Sequence, residues 1–81
     1  MAKPSANFSG NPLLVSIGKT IRQLRKELKL SQEALAQESG IDRSYMGGIE
    51  RGEHNLTLIS LNKICTPLKI SVAGLLERAK I

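Results

Sequence analysis

Aromatic side chains are nearly absent: Phe8 and Tyr45 are the whole complement, and there is no Trp. Any core built from this chain must therefore be aliphatic. The single cysteine, Cys65, excludes an intramolecular disulfide and a metal centre of the cysteine-cluster type. With one histidine, His54, there can be no HExxH, and neither GxSxG nor a Walker-type GxxxxGKS/T loop occurs. The acids Glu27, Glu33, Glu38, Asp42, Glu50, Glu53 and Glu77 are scattered among helix formers and bases. Enzymatic activity is not expected, nor is a cofactor or a metal. No apolar run approaches the roughly 18 residues of a membrane span, and the N-terminus lacks a signal-peptide apolar region. The chain is expected in the cytoplasm, with no membrane partner.

What remains is small, aliphatic and basic. Eighty-one residues, 41 % of them apolar, make one domain at most, with enough apolar material for a small core. Lys plus Arg number 12 against 7 acids, a formal net charge of +5. A domain this basic is expected to meet phosphate, in nucleic acid first and an anionic membrane second. The excess is uneven: residues 1–30 hold six bases and one acid, residues 31–81 six of each. A charge run is usually a solvated face; here it also suits contact with a phosphate backbone.

Residues 1–11 carry Pro, Ser, Asn and Gly without periodicity and read as a flexible arm, ahead of a domain over 12–81. From Pro12, Leu14, Ile17, Ile21, Leu24 and Leu28 recur at helical spacing, while Lys19, Arg22, Lys26 and Lys29 occupy the other face. Ser31 caps a second helix that ends at Gly40, and Asp42 caps a third running from Arg43 to Arg51, closed by Gly52. Two short helices joined by about three residues form a tight helix-turn-helix. Thr57 caps a fourth helix, which Pro67 should stop or tighten around Thr66. Ser71 caps a fifth bearing Val72, Leu75, Leu76 and Ala79. Five helices and no strand candidate predict an all-α fold.

Met46 and Ile49 should point the third helix inward and leave Arg43, Ser44, Gly47 and Gly48 on the opposite face. An exposed Arg near the N-terminus of a groove-bound helix can grip guanine O6 and N7 with its fork, and Ser44 can meet a base edge or a phosphate. Two adjacent glycines in a helix cost about 1 kcal/mol each relative to Ala. Close approach to DNA or to the second helix would explain them; a merely weak helix is the plain alternative. Tyr45 lies roughly 100° around the helix from Met46, so it can face DNA or fold down onto the core. Cys65 is most simply a core residue.

The segments Leu30-Ser31-Gln32-Glu33-Ala34-Leu35-Ala36, Ser39-Gly40-Ile41 and Ile49-Glu50-Arg51-Gly52 resemble the Cro/C1-type helix-turn-helix family of phage repressors and bacterial regulators. The likeness spans about Ile17 to Leu76. The run Ile41 to Arg51 followed by Asn55-Leu56-Thr57 is similar, within that family, to controller proteins of restriction–modification systems. The resemblance implies a compact five-helix, lambda-repressor-like domain that regulates transcription by binding double-stranded DNA. It implies base contacts from Arg43, Ser44 and Tyr45, and backbone contacts from Gln32, Arg22, His54 and Asn55. His54 stands where an Arg is common, so a plain loop histidine is an equal alternative. An Arg25–Glu50 pair would orient the recognition helix. RNA polymerase is a candidate further partner.

One helix-turn-helix covers one half-site, so a palindromic operator requires a second copy. Val72, Leu75 and Leu76 on the last helix, with Ala79 and Ile81 extending the same face, are the expected homodimer interface. Part of that face must also close the core. A competing function is a protein-binding module, such as an antitoxin or adaptor, using the same fold without reading a base.

Overall fold

The computed structural model describes residues 9–81, so the greater part of the expected arm lies outside the described residues. Among the described residues the chain forms five α-helices and no strand: α1 (Pro12–Glu27), α2 (Gln32–Ser39), α3 (Arg43–Glu50), α4 (Leu58–Cys65) and α5 (Val72–Arg78). Each begins at a side-chain cap. Ser31, Thr57 and Ser71 accept from the backbone N–H three residues on, at 2.9, 3.0 and 2.9 Å. Asp42 accepts from Ser44 and Tyr45 N–H. Asn11, counted with the arm on sequence, accepts from Leu13 N–H and starts α1. Such caps satisfy donors that the first helical turn would leave unpaired.

A left-handed residue follows every helix: it is the cap itself in α2, the residue after the cap in α1, α3 and α5, and the end of a further turn three residues past the cap in α4. At each, two N–H groups fold back onto carbonyls of the preceding turn. In α2 and α3 the turning residues are Gly40 and Gly52, with φ of 69° and 77°. In α1, α4 and α5 they are lysines: Lys29, Lys69 and Lys80, with φ of 58°, 60° and 60°. Leu30 N–H reaches Arg25 O, Ile70 N–H reaches Cys65 O, and Ile81 N–H reaches Leu76 O. A side chain in this conformation is strained by roughly 1–2 kcal/mol, while a cation following a helix C-terminus is favoured by the helix dipole. As Pro67 requires, α4 stops at Cys65 and gives way to turn residues.

The core is aliphatic throughout. Ile21, Leu35, Met46, Ile64, Cys65 and Leu75 are fully buried, joined by Ile17, Leu24, Ile49, Leu61 and Leu68. Helix α1 carries α3 and α5 on its apolar side, α2 packs on α3 and α4, and α4 on α5. Leu28 falls in the α1 cap and is exposed. Where α1 crosses α3 there is no room for a side chain. A Cβ on Gly18 would lie 2.5 Å from Ile49 O and 2.6 Å from Glu50 O.

One expectation for α5 has to be corrected. Leu75 is 0 % exposed and belongs to the core, so it offers no surface to a partner; Ala79 is buried as well. Val72 and Leu76 pack against the core edge and stay partly open. The most exposed large apolar side chains lie elsewhere, on the first turn of α4: Leu58 and Ile59, each 73 % exposed.

Candidate nucleic-acid interface

Arg43, Gly47 and Arg51 follow one another at intervals of four, so they line one side of α3 and its cap. The N-terminus of α2 comes alongside, and Gln32, Arg43, Ser44, Gly47 and Arg51 enclose a shallow cleft of about 90 Å³. Two guanidinium groups, an amide, a hydroxyl and the open end of a helix therefore meet in one place. Together they form a surface for phosphate and for the acceptor-rich edges of bases.

Gly47 lets two side chains close over it in this arrangement. A Cβ there would lie 3.1 Å from an Arg51 guanidinium nitrogen and 3.3 Å from Gln32 Oε1. The neighbours of this glycine are thus the ends of the Arg51 and Gln32 side chains, which a methyl group would push back by a few tenths of an ångström. Sequence reasoning had left Arg51 without a role. The four-residue spacing from Arg43 was the available signal. Arg51 is exposed and pairs with Glu53, Nε to Oε2 at 2.8 Å. That contact lowers the Glu53 carboxyl pKa from its ordinary value and raises that of Arg51.

Arg25 and Glu50 do pair. Nε and one terminal nitrogen of Arg25 reach the two Glu50 carboxylate oxygens at 2.8 and 3.1 Å, and its other nitrogen donates to Leu30 O at 2.9 Å. Gln32 Nε2 donates to Glu50 Oε1 at 3.2 Å. The side chains are 11 % and 3 % exposed, so α1, the α1–α2 turn, the head of α2 and the tail of α3 are tied together through one buried carboxylate.

The remaining residues divide by exposure. Arg43, Arg22 and Asn55 are open to solvent, while Gln32, Ser44 and Tyr45 are half-buried. The Ser44 hydroxyl donates to Asp42 and, with the Tyr45 N–H next in effect, holds that carboxyl below its ordinary pKa. Burial pushes the Cys65 thiol up, as a core position requires. His54 departs from expectation. It is 5 % exposed and lies beneath Tyr45, ring centroids 4.5 Å apart. A buried imidazole does not reach a DNA backbone, so this contact is withdrawn. Gly48 is buried and faces His54 rather than α2: a Cβ there would come within 2.6 Å of His54 Cδ2.

Among the described residues, no helix is long and apolar enough to cross a membrane. The helix-turn-helix family pattern matches residues 21–75. The control protein C.MunI of a Mycoplasma species is 38 % identical over 66 residues, covering 80 % of this chain and 89 % of that protein. The restriction–modification controller C.AhdI from Aeromonas hydrophila is 48 % identical with a TM-score of 0.74, over 76 % of this chain and 94 % of that one. The controller C.Esp1396I, solved bound to a 25 base pair operator site, is 38 % identical with a TM-score of 0.76, over 84 % and 90 % of the two chains. The chain belongs to the Cro/C1-type helix-turn-helix family and is similar, within it, to the controller proteins of restriction–modification systems.

Proposed function

We propose that the protein is a sequence-specific regulator of transcription that binds double-stranded DNA, works in the cytoplasm as a homodimer on a palindromic operator, and has no enzymatic activity. The observation that carries this reading is the cleft between α2 and α3, where Arg43 and Arg51 flank a bare Gly47 beside the open end of α2. The operator-bound relative C.Esp1396I supports it. In this reading Arg43, Ser44 and Tyr45 meet bases, and Gln32, Arg22 and Asn55 meet the sugar-phosphate backbone. Arg25 and Glu50 aim the helix without reading sequence. A controller of a restriction–modification system is the specific form proposed, with RNA polymerase as its further partner at a promoter.

Selection from random duplex pools at several salt concentrations tests this reading. A recovered sequence with a steep salt slope supports it; neither appearing favours a protein-binding module. Arg43→Ala is expected to cost about 1–3 kcal/mol on the selected operator and to relax preference at one base pair per half-site. Equal losses on operator and random DNA would make Arg43 a phosphate contact.

The described residues measure 30 × 28 × 21 Å. Two copies side by side therefore suit half-sites about 34–36 Å apart. With Leu75 committed to the core, the proposed interface draws on Leu58 and Ile59, with Val72 and Leu76. Pairing would turn two weak half-site affinities into one useful affinity. Leu58→Glu with Ile59→Glu is expected to shift sedimentation toward monomer and to weaken full-operator binding more than half-site binding. A wild-type protein that sediments as a monomer at tens of micromolar, on and off DNA, ends the homodimer proposal.

A further inference from the structure

The chain's one histidine and one tyrosine lie against each other. We infer that His54 is a positioning residue for Tyr45: its buried ring, seated on the bare backbone of Gly48, fixes the angle at which Tyr45 leaves the recognition helix, and so sets part of the DNA specificity. The inference rests on the reading of Tyr45 as a DNA contact.

Three independent observations converge on this contact. The rings are 4.5 Å apart at an interplanar angle of 33°, close enough for each to restrict the other's rotamers. Gly48, one helical turn after Tyr45, leaves the space that the imidazole fills; a side chain there would overlap Nε2 and approach Cδ2 at 2.6 Å. His54 Nε2 is buried and meets no hydrogen-bond partner among the described residues. What the geometry does give the imidazole is its fit, against the Tyr45 ring on one side and over Gly48 on the other.

The mechanism follows from rotamer freedom. Tyr45 is half-buried and also packs against the core cluster, so without His54 its ring would gain freedom on its exposed side. The loop after α3 folds back and places His54 under it. Glu53 lies in the same corner, its Oε1 3.4 Å from where a Gly48 Cβ would stand, and Arg51 holds that carboxylate. Arg51 also lines the cleft. The segment from Arg51 to His54 thus packs against α3 while one of its members, Arg51, lines the cleft.

A positioning ring and a phosphate contact respond differently to substitution. His54→Phe keeps an aromatic ring and loses an orphan nitrogen, so operator affinity should stay within about twofold of wild type with the salt slope unchanged. His54→Ala should weaken operator binding about tenfold and lower the ratio of operator to random-duplex affinity. Because Tyr45 is the only tyrosine, its ring-proton resonances report on it alone, and in His54→Ala they should move toward those of free tyrosine. Gly48→Ala, which keeps His54 but pushes its ring away, should move the same resonances and reduce operator preference, with helical circular dichroism confirming the fold. Equal losses for Phe and Ala with the salt slope reduced by about one would identify a phosphate contact and overturn the inference. Unmoved Tyr45 resonances in a folded Gly48→Ala or His54→Ala would overturn it too. Wild-type operator affinity in Tyr45→Ala would remove the DNA-contact reading itself, whatever the resonances show.

Discussion

Arg25→Ala is expected to destabilise the domain by about 3–5 kcal/mol, the cost of stranding a buried carboxylate. Glu50 is 3 % exposed at its side chain and takes two of its three hydrogen bonds from Arg25. Removing the guanidinium leaves only Gln32 to face it, and also frees the Leu30 carbonyl. In a domain of this size the loss corresponds to a fall in melting temperature on the order of 20 °C, readable by circular dichroism. The double variant Arg25→Met with Glu50→Leu should recover much of the stability, since a packed apolar pair can replace a buried ionic one. It should not recover operator affinity, because Gln32 would lose the carboxylate that holds it at the head of α2. A melting temperature lowered by only a few degrees in Arg25→Ala would mean that water reaches Glu50 and that the pair behaves as an exposed one.

Gly18→Ala should produce the second large effect, opposite in sign to what helix propensity suggests. In an exposed helix interior the change would stabilise by about 1 kcal/mol. Here the added methyl meets Ile49 O at 2.5 Å and Glu50 O at 2.6 Å. These obstacles are backbone, which no rotamer change can relieve. Overpacking against a fixed backbone falls at or above the upper end of the usual range, about 3 kcal/mol. Relief comes only by moving α3 off α1, so operator affinity should fall further than the loss of folded protein explains. Titration at a temperature where the variant is fully folded separates the two. An unchanged or raised melting temperature would show that the crossing is looser than these distances indicate.

The parts of the fold legible in the sequence are those set by local chemistry. Ser31, Asp42, Thr57 and Ser71 cap helices wherever they precede a periodic run, and Gly40 and Gly52 end two of them. The α1 stripe and the inward turn of Met46 and Ile49 follow from spacing alone. The Arg25–Glu50 pair was reached through family resemblance, because nothing local links residues 25 positions apart. Other features depend on packing that a linear pattern does not record. Leu75 and Leu76 are adjacent in a seven-residue helix, too short for periodicity to say which turns inward. His54 lies in a loop, where no period applies, and the chain's return onto Tyr45 is a tertiary event. Gly18 sits inside α1's regular pattern as if incidental; only the position of α3 gives it a reason.

Three of the five left-handed turns that follow the helices place a lysine where glycine would relax the backbone. Converting Lys29, Lys69 and Lys80 to glycine would ease each turn, and would also remove three of the five net positive charges. The long-range field that draws a basic protein toward a polyanion depends on that sum, and the encounter rate falls with it. Stability and speed of arrival at DNA are therefore set against each other at the same three residues. A sequence optimised for folding alone would be a slower ligand for DNA, even with every contact in the cleft left in place.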